Sequence, residues 1–206
     1  MCIIPFMPSK VSTVDPVVMC RFRITGAETA QLILFNNALS GVVVRLGIER
    51  DDIVRDDYDP RSKTVWLSLD NFKGESVTAL AVSAQRSGQA LQYASGYFMV
   101  RLRSRLLPLV NFSATYGPII LPFGVLMGIG PLVEISVLLF AGAILFHLVT
   151  LPVEFSASHR ALRQIENLEL VSEQELGGAR KVLTAAAMAY VGAAATQFTR
   201  KLVYDR

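Results

Sequence analysis

The stretch LAVSAQRSGQALQYASGY, residues 80–97, decides how the rest of the chain is interpreted. Its apolar residues recur at helical spacing, Ser76 stands where an N-cap belongs, and Gly96 can end the helix. At its centre, the pentapeptide QRSGQ puts Gln85 and Gln89 on one face, because residues four apart lie one above the other on a helix. Arg86 follows the first glutamine. Alone, this spacing predicts no particular chemistry.

The composition predicts a membrane protein. Of 206 residues, 52% are hydrophobic and 18% are charged, and the mean hydropathy of +0.43 is too high for an ordinary soluble domain. The net charge is +3, but Lys and Arg flank the apolar runs instead of forming one basic patch. We therefore expect a lipid bilayer as a partner and no nucleic acid. Cys2 and Cys20 form no ligand-like cluster, which predicts neither a disulfide framework nor a thiolate metal site.

Two apolar runs, residues 106–130 and 131–153, are each long enough to span a bilayer. Pro118 and Pro122 predict that the first helix is kinked. The link between the runs has no basic residue, whereas the outer flanks carry Arg101, Arg103, Arg105, Arg160 and Arg163. The positive-inside rule then predicts a transmembrane helical hairpin with both ends in the cytoplasm, and the first three arginines can also contact anionic headgroups.

Before the apolar runs, the pattern predicts one helix and two strands. A capping box at Thr25 and Glu28 opens a helix over residues 27–39, with Gly41 as a stop. Residues 42–50 and 63–69 are rich in β-branched and aromatic side chains, and we expect them to pair as a long hairpin.

After the apolar runs, residues 154–170 predict an amphipathic helix, and a second capping box at Ser172 and Glu175 opens the last helix. The apolar part of that helix, residues 182–198, is short for a span. Its small residues Ala185, Ala189 and Ala193 recur at i, i+4 spacing, which allows close helix packing. Both a third span and a helix packed at the membrane surface stay open.

Several long motifs occur in an order and spacing that resemble a bacterial family of membrane-anchored neutral zinc metallopeptidases. They are TGAETAQLIL (25–34), DDYDPRSKTVWLSLDNFKGESVTALAVSAQ (56–85), GQALQYASGYFMVRLRSRLLPLVNF (88–112), LFHLVTLPVEFSASHRAL (145–162) and GARKVLTAAAMAYVGAAATQ (178–197). The resemblance covers the chain from about Arg23 onward. It implies an α+β fold, namely a mostly helical zincin-like domain with a small β-hairpin or sheet, a transmembrane helical hairpin and a small-residue-rich C-terminal helix.

Carried over residue by residue, the resemblance implies a zinc site that has lost its chemistry. The two His ligands of the HExxH motif fall on Gln85 and Gln89, its catalytic Glu falls on Arg86, and the expected third ligand is kept as Glu154. An amide oxygen is a poor zinc ligand beside imidazole, and a guanidinium can neither accept a proton nor tolerate a nearby divalent ion. We therefore predict no catalytic residue, no bound metal and no zinc cofactor. Asp57 also stands where the family usually has His.

Several alternatives stay open for single residues. Glu154 is either an interfacial carboxylate or the ion-pair partner of Arg86, with the cation replacing the metal. His147 is predicted to be a packed polar residue, and His159 to lie on a solvated helix face. The acidic residues of the predicted hairpin are expected to form a solvated tip and not a cation site: Asp51, Asp52, Asp56, Asp57 and Asp59.

These observations divide the chain into four predicted segments. Residues 1–22 are an irregular N-terminal segment, in which the family's usual membrane helix is shortened or missing. Residues 23–100 form the cytoplasmic zincin-like helix, hairpin and active-site-type helix. Residues 101–153 form the transmembrane hairpin, and residues 154–206 complete the peptidase-like fold.

The predicted function is that of an inactive metallopeptidase homologue in the bacterial cytoplasmic membrane. It would bind other membrane proteins, or a polypeptide in the old substrate cleft, as a binding or scaffolding subunit. The alternative is an active membrane zinc metallopeptidase with unusual metal ligands, arranged around Glu154, His147 and the aspartates. A third hypothesis is a purely structural subunit whose old cleft is filled.

Overall fold

The computed structural model describes residues 23–47, 56–185 and 188. The predicted N-terminal segment 1–22, the residues around Asp51 and Asp52, and most of the small-residue helix, including Ala189 and Ala193, lie outside the described residues. The α+β expectation is confirmed, because the described chain is mostly helical with one small sheet. Two compact units are present. We call described residues 97–153 the apolar unit, and described residues 23–96 and 154–188 the sheet unit.

The first helix of the sheet unit, α1, spans Gly26–Asn36 and begins with the predicted capping box. Thr25 Oγ1 accepts a hydrogen bond from the Glu28 amide at 3.2 Å, and the Thr25 amide donates to Glu28 Oε2 at 2.8 Å. The helix ends earlier than predicted because Asn37 caps it: Asn37 Nδ2 donates to the carbonyl oxygen of Ile33 at 2.7 Å. Ala38 then takes a left-handed backbone conformation with φ of 56°, which turns the chain away from the helix.

The sheet contains β1 (Val43–Leu46), β2 (Asp57–Asp59) and β3 (Thr64–Leu67) in the order β1-β3-β2. The predicted long hairpin between residues 42–50 and 63–69 is wrong, since β1 runs parallel to β3. The true hairpin joins β2 and β3. Its turn closes immediately after β2, because Asp59 accepts hydrogen bonds from the Arg61 amide and the Ser62 hydroxyl. The β-branched pattern that identified the strands carries no information on their direction.

A short helix, α2 (Leu69–Lys73), leads to α3 (Val77–Ala94), which contains the QRSGQ segment. As predicted, Ser76 caps α3, accepting from the Ala79 amide at 3.1 Å, and Gly96 follows its end with φ of +63°. Fourteen of the 18 residues of α3 are buried, so this helix is the centre of the sheet unit. Its apolar side packs with Ile33, Ile165 and Leu183 in one core cluster.

The longest helix, α5, runs over Gly130–Asn167 and contains Pro152. The predicted span 131–153 and the predicted amphipathic helix 154–170 are therefore one continuous helix. Proline removes a single backbone donor, and a helix with many turns on either side can continue through that loss. The second predicted capping box is confirmed. The Ser172 amide and hydroxyl both donate to Glu175 Oε2, at the start of helix α6, residues 173–185.

In the apolar unit, α4 (Phe98–Leu126) is followed by the first part of α5. The predicted kink is confirmed as a bend of 48° between Phe98–Gly117 and Ile119–Leu126. Gly128, with φ of +65°, makes the turn between the helices. The two helices contact each other where Ser113 Oγ donates to the Leu139 carbonyl oxygen at 2.8 Å and where Gly142 lies against Leu109.

Many large apolar side chains of the apolar unit are exposed, among them Phe112, Ile119, Leu126, Leu138 and Leu148. Within the described part of the chain, one helix, α5, is long and apolar enough to cross a membrane. The two parts of α4 meet the same criterion only when they are counted together across the bend.

Candidate functional site

The candidate site lies in the sheet unit, where α3 packs against the α5 segment that begins at Glu154. The close approach depends on Gly88, since a Cβ atom there would lie 2.6 Å from the carbonyl oxygen of Ala157. Ala157 and Ala161, both fully buried, present small side chains to α3. Small residues on both helices thus bring the QRSGQ segment against α5.

Three of the four predicted site residues come together in this contact. Gln85 Nε2 donates to Glu154 Oε2 at 3.4 Å, and Gln89 Nε2 donates to Glu154 Oε1 and Oε2 at 3.4 and 3.5 Å. Gln85, Gln89 and Glu154 are 1%, 5% and 3% exposed. Two buried side-chain amides on α3 therefore face one buried carboxylate on α5.

A fourth member of this cluster, Ser158, was missed from the sequence. Its hydroxyl oxygen accepts from Gln85 Nε2 at 3.2 Å, and the residue is buried. Ser158 lies four residues after Glu154, so the two side chains share one face of α5. That spacing was visible in the sequence and could have identified it.

The guanidinium of Arg86 is also removed from solvent, because the residue is 6% exposed. A buried charge is costly unless a charge of opposite sign or several acceptors compensate it. Arg86 follows Gln85 directly on α3. Its predicted ion pair with Glu154 stays a prediction.

The other sequence candidates include two histidines and five arginines. His147 belongs to the apolar unit, where it is half-buried with its ring centroid 5.9 Å from that of Phe146. His159 is exposed, as predicted. The arginines chosen as topology determinants have half-buried or exposed side chains: Arg101, Arg103, Arg105, Arg160 and Arg163.

The described aspartates of the hairpin bond to the protein's own backbone and side chains. Asp56 accepts from the Ser68 amide and from Asn71 Nδ2, both at 2.7 Å, and so holds the start of α2. Asp57 Oδ1 accepts from the Tyr58 amide at 2.8 Å. Partial burial opposes ionisation of Asp59, but hydrogen bonds from Ser62 and the backbone of Arg61 outweigh it and lower the pKa of this carboxyl. Burial raises the pKa of Tyr58, with further contributions from Tyr93 and Asp59.

The donor set of the cluster does not suit a zinc ion. Zinc in proteins takes His, Cys or carboxylate ligands, and a catalytic site needs three of them. The cluster offers one carboxylate, whose oxygens accept hydrogen bonds from two amide N–H groups. Within residues 23–47, 56–185 and 188, no group of three or more His, Cys, Asp or Glu could hold a metal ion.

Comparison with known proteins agrees with the sequence resemblance. Residues 12–204 match the family described as "Putative neutral zinc metallopeptidase". The chain is 39% identical over 170 residues to "Putative membrane protease YugP" of Bacillus subtilis (strain 168), an alignment that covers 82% of this chain and 74% of that protein. No solved structure matches the chain. The chain therefore belongs to the putative neutral zinc metallopeptidase family.

Proposed function

We propose that this chain is a catalytically inactive member of its family, embedded in the bacterial cytoplasmic membrane, and that it acts as a binding or scaffolding subunit. The observation that carries the proposal is the pair of hydrogen bonds from Gln85 and Gln89 to Glu154. Where a zinc enzyme needs lone pairs directed at a metal, this cluster has amide N–H groups directed at a carboxylate.

The same cluster lacks the groups that hydrolysis requires. A metallopeptidase activates water with a metal ion and removes its proton with a carboxylate base. Arg86 has no proton acceptor at the position of that base. The oxygens of Glu154 are engaged by two amides and are buried, which leaves them poorly placed to take a proton from a bound water. The alternative of an active enzyme with other metal ligands has no metal-ligand group in the described part of the chain to support it.

Binding without catalysis is supported by the edge of the sheet. Strand β1 pairs with β3 and lies at one edge of the described sheet. The amides of Val43 and Gly47 donate to the carbonyl oxygens of Lys63 and Leu67, so the intervening amides of Val44 and Leu46 point away from the sheet. An extended polypeptide can add to such an edge through its main chain, and this needs no metal. We propose β1 as the edge that receives a polypeptide partner.

Membrane insertion is supported by the apolar unit. Its exposed Phe, Leu, Ile and Val side chains suit a hydrocarbon environment, and α5 has the length of a span. We propose that α4 and the first part of α5 form a transmembrane hairpin. The arginines on its outer flanks would place the sheet unit in the cytoplasm.

The proposed loss of zinc is tested by elemental analysis of the full chain purified in mild detergent after growth with added zinc. We expect less than 0.1 zinc per chain, about the background of contaminating metal in such a sample. The triple variant Q85H/R86E/Q89H restores the family's ligands and should gain zinc in a ratio near one. Stoichiometric zinc in the natural chain would refute the proposal.

The proposed binding role is tested with the variant Val44→Pro. Proline at this position removes an amide that points away from β3, so the sheet keeps its bonds while the edge loses one donor. The control Val44→Ala shortens the same side chain and keeps the amide. A partner isolated from native membranes with the natural chain and with Val44→Ala, but lost with Val44→Pro, supports edge binding. Equal recovery with all three chains contradicts it.

A further inference from the structure

A second candidate site lies in the sheet unit, apart from the Gln85, Gln89 and Glu154 cluster. It is a groove of about 430 Å³ formed by the ends of three helices. The end of α1 contributes Asn37 and Leu39, the end of α3 contributes Leu91, Ala94 and Ser95, and the last turns of α5 contribute Arg160, Arg163, Gln164 and Asn167.

The polar lining of the groove carries two positive charges. Arg160 is half-buried and Arg163 is exposed, and they lie three residues apart on one face of α5. Among the described residues, no acidic side chain lines the groove. Within the described residues, the guanidinium groups of Arg160 and Arg163 make no hydrogen bond or ion pair. The N–H donors of both groups are therefore available to a ligand.

The helix ends do not use these arginines as caps. The last carbonyl oxygens of α1 and α3 accept from Asn37, Leu39, Ser95 and Gly96, and those of α5 accept from Leu168, Glu169 and Leu170. Asn37 and Gln164 also bond to each other in both directions, at 2.9 and 3.3 Å, which fixes one wall of the groove. The wall is thus ordered without any contribution from Arg160 or Arg163.

The charge balance selects the kind of anion. Two guanidinium groups supply two positive charges, while three helix C-termini each contribute about half a negative charge. The net field is weakly positive, which suits a singly charged anion better than a doubly charged one. A phosphodiester carries one negative charge and has free oxygens for the planar forks of two arginines.

We propose that this groove binds the phosphodiester of a phospholipid headgroup. Leu39, Leu91 and Ala94 give the groove an apolar wall, and this wall suits the glycerol and upper acyl part of a lipid. The same helix, α5, carries the apolar run of a membrane span before the two arginines in sequence. A free phosphate ion would use the arginines but not the apolar wall. The inference does not depend on the loss of peptidase activity.

The test uses the full chain in a neutral detergent and native mass spectrometry, which counts bound lipids. Short-chain phosphatidylglycerol is the probe, and inorganic phosphate and a neutral diacylglycerol are the comparison ligands. R160Q/R163Q removes both charges and should weaken phosphatidylglycerol binding by about tenfold or more. R160K/R163K keeps the charges without the planar fork, and its affinity for phosphatidylglycerol should lie between those of the natural chain and R160Q/R163Q.

The matched control is R61Q/R180Q, which removes two exposed arginines outside the groove and should bind the lipid like the natural chain. An equal loss in this control would mean general attraction to the basic chain and would overturn the proposal. If inorganic phosphate binds through the two arginines as tightly as phosphatidylglycerol does, the groove recognises a free phosphate and not a lipid, and the proposal is overturned. Circular dichroism of each variant verifies that the chain is folded.

Discussion

Gln89 donates through one amide nitrogen to both carboxylate oxygens of Glu154, at 3.4 and 3.5 Å, while Gln85 reaches the same carboxylate from one turn earlier on α3. In a zinc site of this family, the corresponding positions would all direct lone pairs at one ion. Here the amides on α3 donate and the carboxylate on α5 accepts, so direct hydrogen bonds join the two helices. The cluster that joins them is built from two uncharged amides and one carboxylate.

Replacing Glu154 with Gln should destabilise the sheet unit. The substitution keeps the shape but removes the charge to which two amides donate, inside a site that is 3% exposed. Hydrogen bonds to a charged group contribute about 1.5–3 kcal/mol to stability, and we expect their weakening to appear as a lower Tm in mild detergent.

The control for this variant is Glu166→Gln, on the exposed side of the same helix. We expect its stability to change by less than about 0.5 kcal/mol. A chelator should leave the Tm of the natural chain unchanged. If Glu154→Gln melts like the natural chain, the carboxylate does not join α3 to α5.

Gly88→Ala should separate α3 from α5. The added Cβ would lie 2.6 Å from a backbone oxygen of Ala157, and backbone cannot yield as a flexible side chain can. Overpacking of this kind costs about 1–3 kcal/mol. Gly177→Ala is the matched control, because open space surrounds that glycine in α6 and alanine favours a helix. Opposite shifts in Tm for the two variants are expected, and equal shifts would contradict the close packing at Gly88.

The sequence predicted helix α3 more accurately than the sheet. Helix α3 could be placed because caps and periodicity are local signals, and Glu154 could be matched because a long motif surrounds it. The predicted direction of β1 relative to β3 was wrong because a β-branched pattern is the same in either orientation. The hydrogen bonds of Asp59 close the turn that makes β2 and β3 a hairpin. The continuation of α5 through Pro152 was missed because proline usually ends a helix.

Ala38→Gly should stabilise the chain. Ala38 has a φ of 56°, a region in which a Cβ atom is crowded and glycine is not. The free energy released by relieving that strain exceeds the cost of the extra conformational entropy of glycine in the unfolded chain. We therefore expect the free energy of unfolding to rise by about 0.5–1 kcal/mol. The control Ala94→Gly, near the end of α3, should instead lower the Tm because glycine weakens a helix. A lower Tm for Ala38→Gly would show that this backbone conformation is not strained.

The carboxyl of Asp59 predicts a pH dependence that its amide variant should lack. Hydrogen bonds from Ser62 and from the backbone of Arg61 and Ser62 hold its pKa below 3.8, although partial burial acts the other way. A group whose pKa is lower in the folded chain stabilises that chain fully above its unfolded pKa, and the contribution is lost as the pH falls through the folded pKa. Asp59→Asn should therefore be less stable than the natural chain at pH 6.

The difference in Tm between the natural chain and Asp59→Asn should shrink as the pH falls below the ordinary pKa of 3.8, because the carboxyl of the unfolded chain then takes up its proton before that of the folded chain. Melting curves between pH 6 and pH 3 measure it. Glu166→Gln again serves as the control, since that exposed carboxylate makes no hydrogen bond within the described residues. A difference that stays constant down to pH 3 would mean that Asp59 acts through the shape of the turn and not through its charge.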